Sequence, residues 1–322
     1  MDIGYNFKNY PEISPHLEPT HSGLSTLWAQ RTAHRFNAYV TVGYPEKVVA
    51  HPGQPSSSFT PSDIPNAPQM ECYNSTVTVK PGGGIVAHVR KHFLYYTDET
   101  WAQEGWNTNF RVPGPQPNDS PNNHVAPDTQ EEQEATAAES SSEEKKPSNG
   151  FFAHDFGTPI GRVSMGICMD INPHRFTAPW TSYEFSNHIL KSRTPLTVLS
   201  MAWLTQHTPP SLTAQAAHPD EETFIYWVER FRPLREAAER IGSEAAGEAE
   251  GGGMEGEGGR ESTVVICNRT GEEGGACYAG TSCVMRFCAG GRVEIVDVCG
   301  RAEERVMLVD LEARAKFALE RG

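Results

Sequence analysis

Residues 162–173 read RVSMGICMDINP, an apolar run followed by a polar turn that ends in proline. The run predicts a buried strand, and Cys168 stands at its last position, just before the turn. A side chain at such an elbow lies at a sheet edge, and the backbone amides that follow it can form an oxyanion site. Composition alone favours a small buried thiol, so a core residue and a nucleophile both remain open for Cys168.

Lys91 and Glu99 precede the elbow in the sequence, and both are candidates for chemistry with a cysteine. Apolar residues alternate through positions 85, 87 and 89, which gives Lys91 the parity of an inward-facing side chain. A buried ammonium there would lower the thiol pKa, whereas a strand-end lysine that reaches solvent is the structural alternative. Glu99 is able to orient the lysine, and an exposed loop acid is the commoner interpretation.

Helix and strand signals alternate on both sides of the elbow. Apolar spacing predicts helices over 24–37, 182–192 and 222–242. Apolar runs predict strands over 38–44 and 195–204, a hairpin over 75–94, and mostly strands from 262 to 320. This order predicts a single α/β domain over residues 1–322, built of layered sheets covered by helices.

Two acidic segments of low complexity interrupt this pattern. Residues 117–150 hold eight acidic residues and two lysines, and residues 242–261 hold six acidic residues and one arginine. Both contain few large apolar residues, so we predict disordered insertions. They carry charges of −6 and −5 out of a net −14, which leaves about −3 elsewhere and gives no support for a nucleic-acid partner.

Cysteine usage and hydropathy bear on the compartment. No run approaches the roughly 18 apolar residues of a membrane helix, and the first residues do not resemble a secretion signal. The seven cysteines are spread through apolar runs, which predicts reduced thiols in the cytoplasm or the nucleus and no membrane partner. The carboxy-terminal cysteines lack zinc-site spacing, so we expect no metal and no cofactor.

Several segments, taken in order, resemble the carbon–nitrogen hydrolase (nitrilase) superfamily. They are YNSTVTVKPGGGIVAHVRKHFLY, GRVSMGICMDINP, LTVLSMAWL and CNRTGEEGGACYAGTSCVM. GYNFKNYPEISPHLEP and YVTVGYPE narrow the resemblance to fungal members that deamidate amino-terminal asparagine and glutamine. The resemblance implies an αββα sandwich and hydrolysis of the side-chain amide through a cysteine thioester. The partners would be proteins or peptides that begin with Asn or Gln, and the product would feed the N-degron pathway.

The resemblance also implies roles for individual residues. Cys168 corresponds to the nucleophile, and Lys91 with the backbone amide of Met169 to the groups that stabilise the oxyanion. Glu99 stands where some members place an accessory glutamate. The family's triad glutamate ends a first strand that precedes the GYNF-like segment, and we expect this strand to be absent from the chain. Neither Glu12 nor Glu46 is expected to replace that glutamate.

Three positions are candidates for substrate binding. Relatives that act on carboxylated substrates place arginine four or five residues after the cysteine, where this chain has Asn172 and Pro173. That difference fits a substrate that offers an α-ammonium group. Asp170 could attract the ammonium, or it could cap a turn. Trp203 could form a wall of the amide pocket, or it could be a core aromatic residue.

Three functions remain open from the sequence. The first is an amidase acting on amino-terminal Asn and Gln, the second an inactive or binding relative without the triad glutamate, and the third a hydrolase of a small amide. The intact motifs around Lys91 and Cys168 favour the first. The oligomeric state is left open.

Overall fold

Two β-sheets stacked face to face form the centre of the molecule. The computed structural model describes residues 4–49, 70–105, 151–245 and 261–319. The predicted insertion at 117–150 lies outside these residues, and so does most of the insertion predicted at 242–261. Within the described ranges, no helix is long and apolar enough to cross a membrane.

The first sheet has four strands, of which three form an antiparallel meander. Its strands are β1 (Glu18–Pro19), β2 (Val40–Val49), β3 (Met70–Val79) and β4 (Ile85–Arg90), paired in that order. The predicted hairpin over 75–94 is confirmed, because β3 and β4 pair across a tight turn. On the outer edge of β2, β1 pairs only with Glu46 and Lys47. Residues 40–45 have no strand partner on that edge in the part of the chain that the structure describes.

The second sheet has seven strands in the order β14-β13-β12-β9-β7-β6-β5. Strands β10, β11 and β8 pair in that order to form a small third sheet. Strands β6, β7 and β9 are parallel, so their carboxyl ends meet at one edge. The strand bounds are β5 (Phe152–Asp155), β6 (Arg162–Ile167), β7 (Leu196–Met201), β8 (Leu204–Thr205), β9 (Ser262–Asn268), β10 (Thr270–Glu273), β11 (Ala276–Ala279), β12 (Cys283–Cys288), β13 (Arg292–Val298) and β14 (Phe317–Leu319).

Helices cover the outer faces of both sheets. They are α1 (Tyr10–Ile13), α2 (Leu24–Phe36), α3 (Glu184–Ser192), α4 (Pro209–Ala214), α5 (Glu221–Arg230) and α6 (Arg232–Ala245). Ala29 and Ala33 of α2 pack on β2 and β3, while α3, α5 and α6 pack on the larger sheet. Between the sheets, Ala87 and Val89 of β4 pack against Met165 of β6. This is the predicted αββα sandwich.

Two predicted elements differ from the structure. The helix predicted over 222–242 is two helices, which meet at Phe231 with φ −100° and ψ 14°. Pro233 explains the break, because proline has no N–H and its ring clashes with the preceding helical turn. The strand predicted from 305 onward is largely extended chain without a sheet partner, and only β14 pairs. Val306 is 95% exposed in this segment, so its apolar residues do not enter the core.

Candidate active site

Cys168 lies at the carboxyl end of β6, at the predicted elbow. Its φ of +46° is in the left-handed region of backbone conformation. A residue other than glycine adopts this conformation only when its surroundings hold it there. A short 3₁₀ turn begins at this residue and ends at Ile171. The first N–H groups of such a turn have no partner within it, so the Met169 N–H is available to an anion. The elbow therefore places a thiol beside a backbone donor.

Lys91 follows β4 on the opposite sheet and is only 2% exposed. Its ammonium forms an ion pair with Asp98, which is also buried. Asp98 further accepts hydrogen bonds from Asn74 Nδ2 at 3.1 Å and from the Tyr95 N–H at 3.0 Å. The inward parity predicted for Lys91 is thus observed. The carboxylate beside it is Asp98, and the neighbouring Glu99 is exposed.

The charges at the site act on one another. Burial works to lower the pKa of Lys91, but Asp98 and Cys168 outweigh it, and the net shift is upward. Lys91 is therefore a permanent cation and not a proton acceptor. Burial raises the pKa of the Cys168 thiol, while Lys91 and a hydrogen bond from the Ala202 N–H oppose that shift without cancelling it. The resting cysteine is a thiol that must lose its proton during attack.

Asp170 does not face a substrate. It is completely buried, and one carboxylate oxygen accepts from the N–H groups of His92 at 3.0 Å and Phe93 at 2.9 Å. The other oxygen accepts from the Ile167 N–H at 2.7 Å. The interpretation of Asp170 as an ammonium ligand is therefore wrong. Its carboxylate joins the segment after Lys91 to the cysteine elbow and fixes their spacing.

A small chamber lies where the two sheets meet Cys168. Its volume is about 40 Å³, enough for about three waters. Cys168, Lys91 and Asp98 all line this chamber. The structure thus brings together Lys91 and Cys168, which are 77 positions apart in sequence. The other residues of its wall are Tyr5, Asn6, Gly43, Asn74, Tyr95, Thr97, Ile167, Ser200, Ala202, Leu204 and Tyr278.

A wider mouth of about 340 Å³ shares Cys168 with the chamber. Asp220 and Glu222 supply negative charge to its wall, and none of the described residues that line it is Lys, Arg or His. Asp220 is the amino-terminal cap of α5 and accepts from the Thr223 N–H at 3.1 Å and from Thr205 Oγ1 at 2.5 Å. The mouth is therefore suited to a cation, and these two acids were missed from the sequence. An aspartate before a helix is an ordinary cap, so it gives no signal of a ligand.

Asn172 and Trp203 line the mouth and not the inner chamber. The Asn172 side chain is occupied, because its oxygen accepts from Tyr226 OH at 2.6 Å and its nitrogen lies 3.0 Å from Met169 Sδ. The Trp203 ring packs on Tyr226, with ring centroids 5.4 Å apart. Asn172 thus holds an aromatic wall in place, and Trp203 forms part of that wall.

The other glutamates considered from the sequence lie outside the chamber. Glu12 is exposed and accepts from the Lys8 N–H at 2.8 Å. Glu46 is fully buried under α2, where it pairs with Arg90 at 2.7 Å and 2.8 Å. Burial works to raise the pKa of Glu46, but Arg90 and His88 outweigh it and hold that pKa well below its usual range. Glu46 is a structural anion of the smaller sheet.

A third cavity, of about 450 Å³, borders the chamber on its other side. It shares Tyr5, Gly43 and Asn74 with the chamber, and Trp28 and Trp101 form much of its apolar wall. This cavity is larger than the reactive chamber. It is distinct from the chamber because neither Cys168 nor Lys91 lines it. In the described ranges, no cluster of His, Cys, Asp or Glu is arranged to hold a metal ion.

Two stacked sheets between helices, with a strand-end cysteine facing a buried lysine, are the arrangement implied by the resemblance to the carbon–nitrogen hydrolase (nitrilase) superfamily. The chain shares its fold with solved structures of N-terminal amidase and is similar in sequence to curated proteins called protein N-terminal amidase. No family model matches the chain.

Two curated relatives carry that description. The protein N-terminal amidase of Schizosaccharomyces pombe is 27% identical over 322 residues, which covers 96% of this chain and 83% of the relative. That of Saccharomyces cerevisiae is 26% identical over 202 residues, or 62% of this chain and 34% of the relative.

Solved structures agree with the fold. Crystal structures of N-terminal amidase with an Asn-Glu peptide and with a Gln-Val peptide give TM-scores of 0.59 and 0.58, each at 19% identity. Both comparisons cover 92% of this chain, and 84% and 83% of those chains.

Proposed function

We propose that the chain hydrolyses the side-chain amide of an amino-terminal asparagine or glutamine of a peptide or protein, releasing ammonia. The observation that carries this proposal is the pair of cavities that share Cys168, a chamber of about 40 Å³ and a mouth of about 340 Å³. The chamber matches a primary carboxamide, which has about as many heavy atoms as the chamber holds waters. The α-ammonium and the following peptide bond are too large for the chamber, and we place them in the mouth because it shares Cys168 with the chamber and has acidic residues in its wall.

The relatives support this assignment. They are described as protein N-terminal amidases, and related crystal structures contain peptides that begin with Asn or Gln. The products would be amino-terminal aspartate or glutamate, which would enter the N-degron pathway. We place the reaction in a reducing compartment, the cytoplasm or nucleus, because all seven cysteines are free thiols.

The proposed hydrolysis has two steps, the formation of a thioester and its hydrolysis. In the first, Cys168 Sγ attacks the carboxamide carbon while Lys91 and the Met169 N–H stabilise the oxyanion. The C–N bond breaks, and ammonia leaves with the proton of the thiol. Asp98 is the one carboxylate among the described residues of the chamber wall, so we assign it the transfer of that proton. In the second step, water attacks the thioester, releasing the carboxylic acid and restoring the thiol.

The acidic wall of the mouth selects the α-ammonium group. Asp220 is buried and Glu222 is exposed, so together they offer negative charge from the floor of the mouth to its rim. The described residues of the lining include no Lys, Arg or His, and the nearest basic side chain to Asp220 is His207 outside the lining, whose Nε2 lies 3.8 Å from Asp220 Oδ2. A peptide with an acetylated amino terminus would leave these acids without their partner and would lose affinity.

An ammonia-release assay on short peptides that begin with Asn or Gln tests the proposal. We expect turnover of the free-amine peptides, at least tenfold weaker turnover of their acetylated forms, and none with Cys168→Ala. The double variant Asp220→Asn/Glu222→Gln keeps a capping side chain on α5 and should raise KM about tenfold with little change in kcat, a loss of about 1.4 kcal/mol in binding.

Other outcomes of this assay would overturn the proposal. Ammonia from free glutamine or a small amide, but not from Asn-started peptides, would identify a small-amide hydrolase. Absence of ammonia from every substrate, in a folded chain, would identify an inactive or binding relative.

A further inference from the structure

Tyr5 is held firmly although it lies near the start of the described chain. Its backbone N–H lies 3.1 Å and 2.9 Å from the two carboxylate oxygens of Glu273, and the Asn6 N–H lies 3.1 Å from one of them. Arg269 pairs with the same carboxylate at 3.0 Å, and its guanidinium lies 5.8 Å from the centre of the Tyr5 ring. These contacts hold the backbone of Tyr5 on Glu273 and place its ring beside Arg269.

The Tyr5 hydroxyl reaches the floor of the reactive chamber. A Cβ atom at Gly43 would lie 3.4 Å from the Tyr5 hydroxyl and 3.4 Å from Ser200 Oγ, so the hydroxyl lies beside Gly43 of β2, on the side that faces Ser200 of β7. Tyr5 lines the chamber together with Cys168 and Lys91. The residue as a whole is 38% exposed, while its hydroxyl lies next to Gly43 in the wall of the chamber.

This hydroxyl is chemically available. No residue in the described part of the chain makes a hydrogen bond with it, although the chamber is surrounded by polar groups. Burial raises the pKa of Tyr5 further than Arg269 and Lys91 lower it, so the phenol keeps its proton. A protonated phenol can donate one hydrogen bond and accept another.

We infer that Tyr5 is a further catalytic residue, whose hydroxyl contacts the amide nitrogen of the substrate carboxamide. This inference rests on the proposed function. In the planar amide, the nitrogen lone pair is delocalised and the NH₂ group can only donate, so the Tyr5 oxygen accepts from it. When Cys168 Sγ bonds to the carbon, the nitrogen becomes pyramidal and gains a lone pair. The Tyr5 O–H then turns and donates to that lone pair. As the C–N bond breaks, the nitrogen takes the phenol proton, Asp98 passes the proton of the thiol to the phenol oxygen, and ammonia leaves.

The contact should act mainly on kcat. A hydrogen bond that forms only in the tetrahedral state stabilises the transition state more than the bound substrate. Loss of one such donor typically costs on the order of 10² in rate. The contact should also depend on the leaving group, because a departing thiolate needs no donor on the leaving atom.

The test is Tyr5→Phe, which removes the hydroxyl alone, with Tyr96→Phe as the matched control. Tyr96 is 61% exposed and lines neither the chamber nor the mouth. Two substrates are compared, an Asn-started peptide and the same peptide with an amino-terminal aspartate β-methylthioester. We expect Tyr5→Phe to lower kcat for the amide by 10- to 100-fold with KM within threefold. Its kcat for the thioester should stay within about twofold, as should both activities of Tyr96→Phe.

Each alternative result has a definite meaning. An amide kcat of Tyr5→Phe within twofold of the unmodified chain would overturn the inference and leave the proposed function intact. Equal losses on amide and thioester, or a lowered melting temperature, would assign Tyr5 a structural role and also overturn it. If the unmodified chain releases no ammonia from any Asn- or Gln-started peptide, the proposed function fails and the inference fails with it.

Discussion

Cys168 carries the reactive sulfur on a backbone angle of φ +46°, which side chains rarely adopt. A left-handed residue with a Cβ costs about 1–2 kcal/mol, and here the hydrogen bonds of Asp170 hold the elbow in that form. The consequence is a sulfur that points into the chamber toward Lys91. A relaxed extended residue at the end of β6 would direct its side chain to one face of the sheet.

Asp98 is the residue on which the charge of the chamber depends. Asp98→Asn removes the counter-ion of Lys91 and the carboxylate that we assign to proton transfer. We expect kcat to fall by at least a factor on the order of 10². Because Asp98 raises the pKa of Lys91 against the effect of burial, its loss lowers that pKa. The high-pH limb of the rate profile should therefore move to lower pH, which ammonia release across a pH series measures.

Glu99→Gln is the matched control for Asp98→Asn, since the two acids are adjacent and only Asp98 is buried. The control should keep the activity and pH profile of the unmodified chain. If Glu99→Gln loses activity while Asp98→Asn keeps it, the accessory glutamate inferred from the family resemblance is the functional acid, and our assignment of Asp98 is wrong.

At the scale of elements, the cysteine elbow and the segment after β4 behave as one unit because Asp170 accepts three backbone N–H groups. Asp170→Asn keeps the size of the side chain but turns an NH₂ group toward at least one of these donors. We expect a loss of about 2–4 kcal/mol in the free energy of unfolding, measured by urea titration.

Asp155→Asn provides the comparison for this variant. Asp155 is exposed and accepts only the Gly157 N–H at 2.8 Å, so its replacement should cost less than about 0.5 kcal/mol. A similarly small loss in Asp170→Asn would mean that its three hydrogen bonds do not support the elbow.

Local patterns predicted the elements of the sandwich better than the contacts between them. Alternation along β4 placed Lys91 inward, and the apolar run before Cys168 placed the thiol at a strand end. Asp98 was missed because one step along the 3₁₀ turn Asp98–Thr100 separates a buried acid from an exposed one. Tyr5 was missed because it is anchored by Glu273, 268 residues away, and no spacing rule spans that distance.

At the scale of the whole molecule, the fold carries a partly buried histidine that makes it sensitive to acid. His188 of α3 packs against Phe151, with ring centroids 5.8 Å apart, and its Nε2 has no hydrogen-bond partner among the described residues. Burial lowers the pKa of His188 from 6.5 to about 4. Well above pH 6.5 the ring is neutral in both states and has no effect on stability. Below it, the unfolded chain takes up a proton that the folded chain does not.

His188→Gln isolates this effect. As the pH falls from 6.5 to 4.5, the His188 ring should lower the free energy of unfolding by about 2–3 kcal/mol. Over the same range, the free energy of unfolding of the variant should fall by about 2–3 kcal/mol less than that of the unmodified chain. Glu46 does not contribute to the slope in this pH range. Its folded-state pKa is lowered, so the stability that it supplies declines only below the ordinary glutamate pKa of 4.5. Urea unfolding at a series of pH values measures the slopes, with His34→Gln at an exposed ring as the control. Parallel slopes for His188→Gln and the unmodified chain would place the acid sensitivity elsewhere in the molecule.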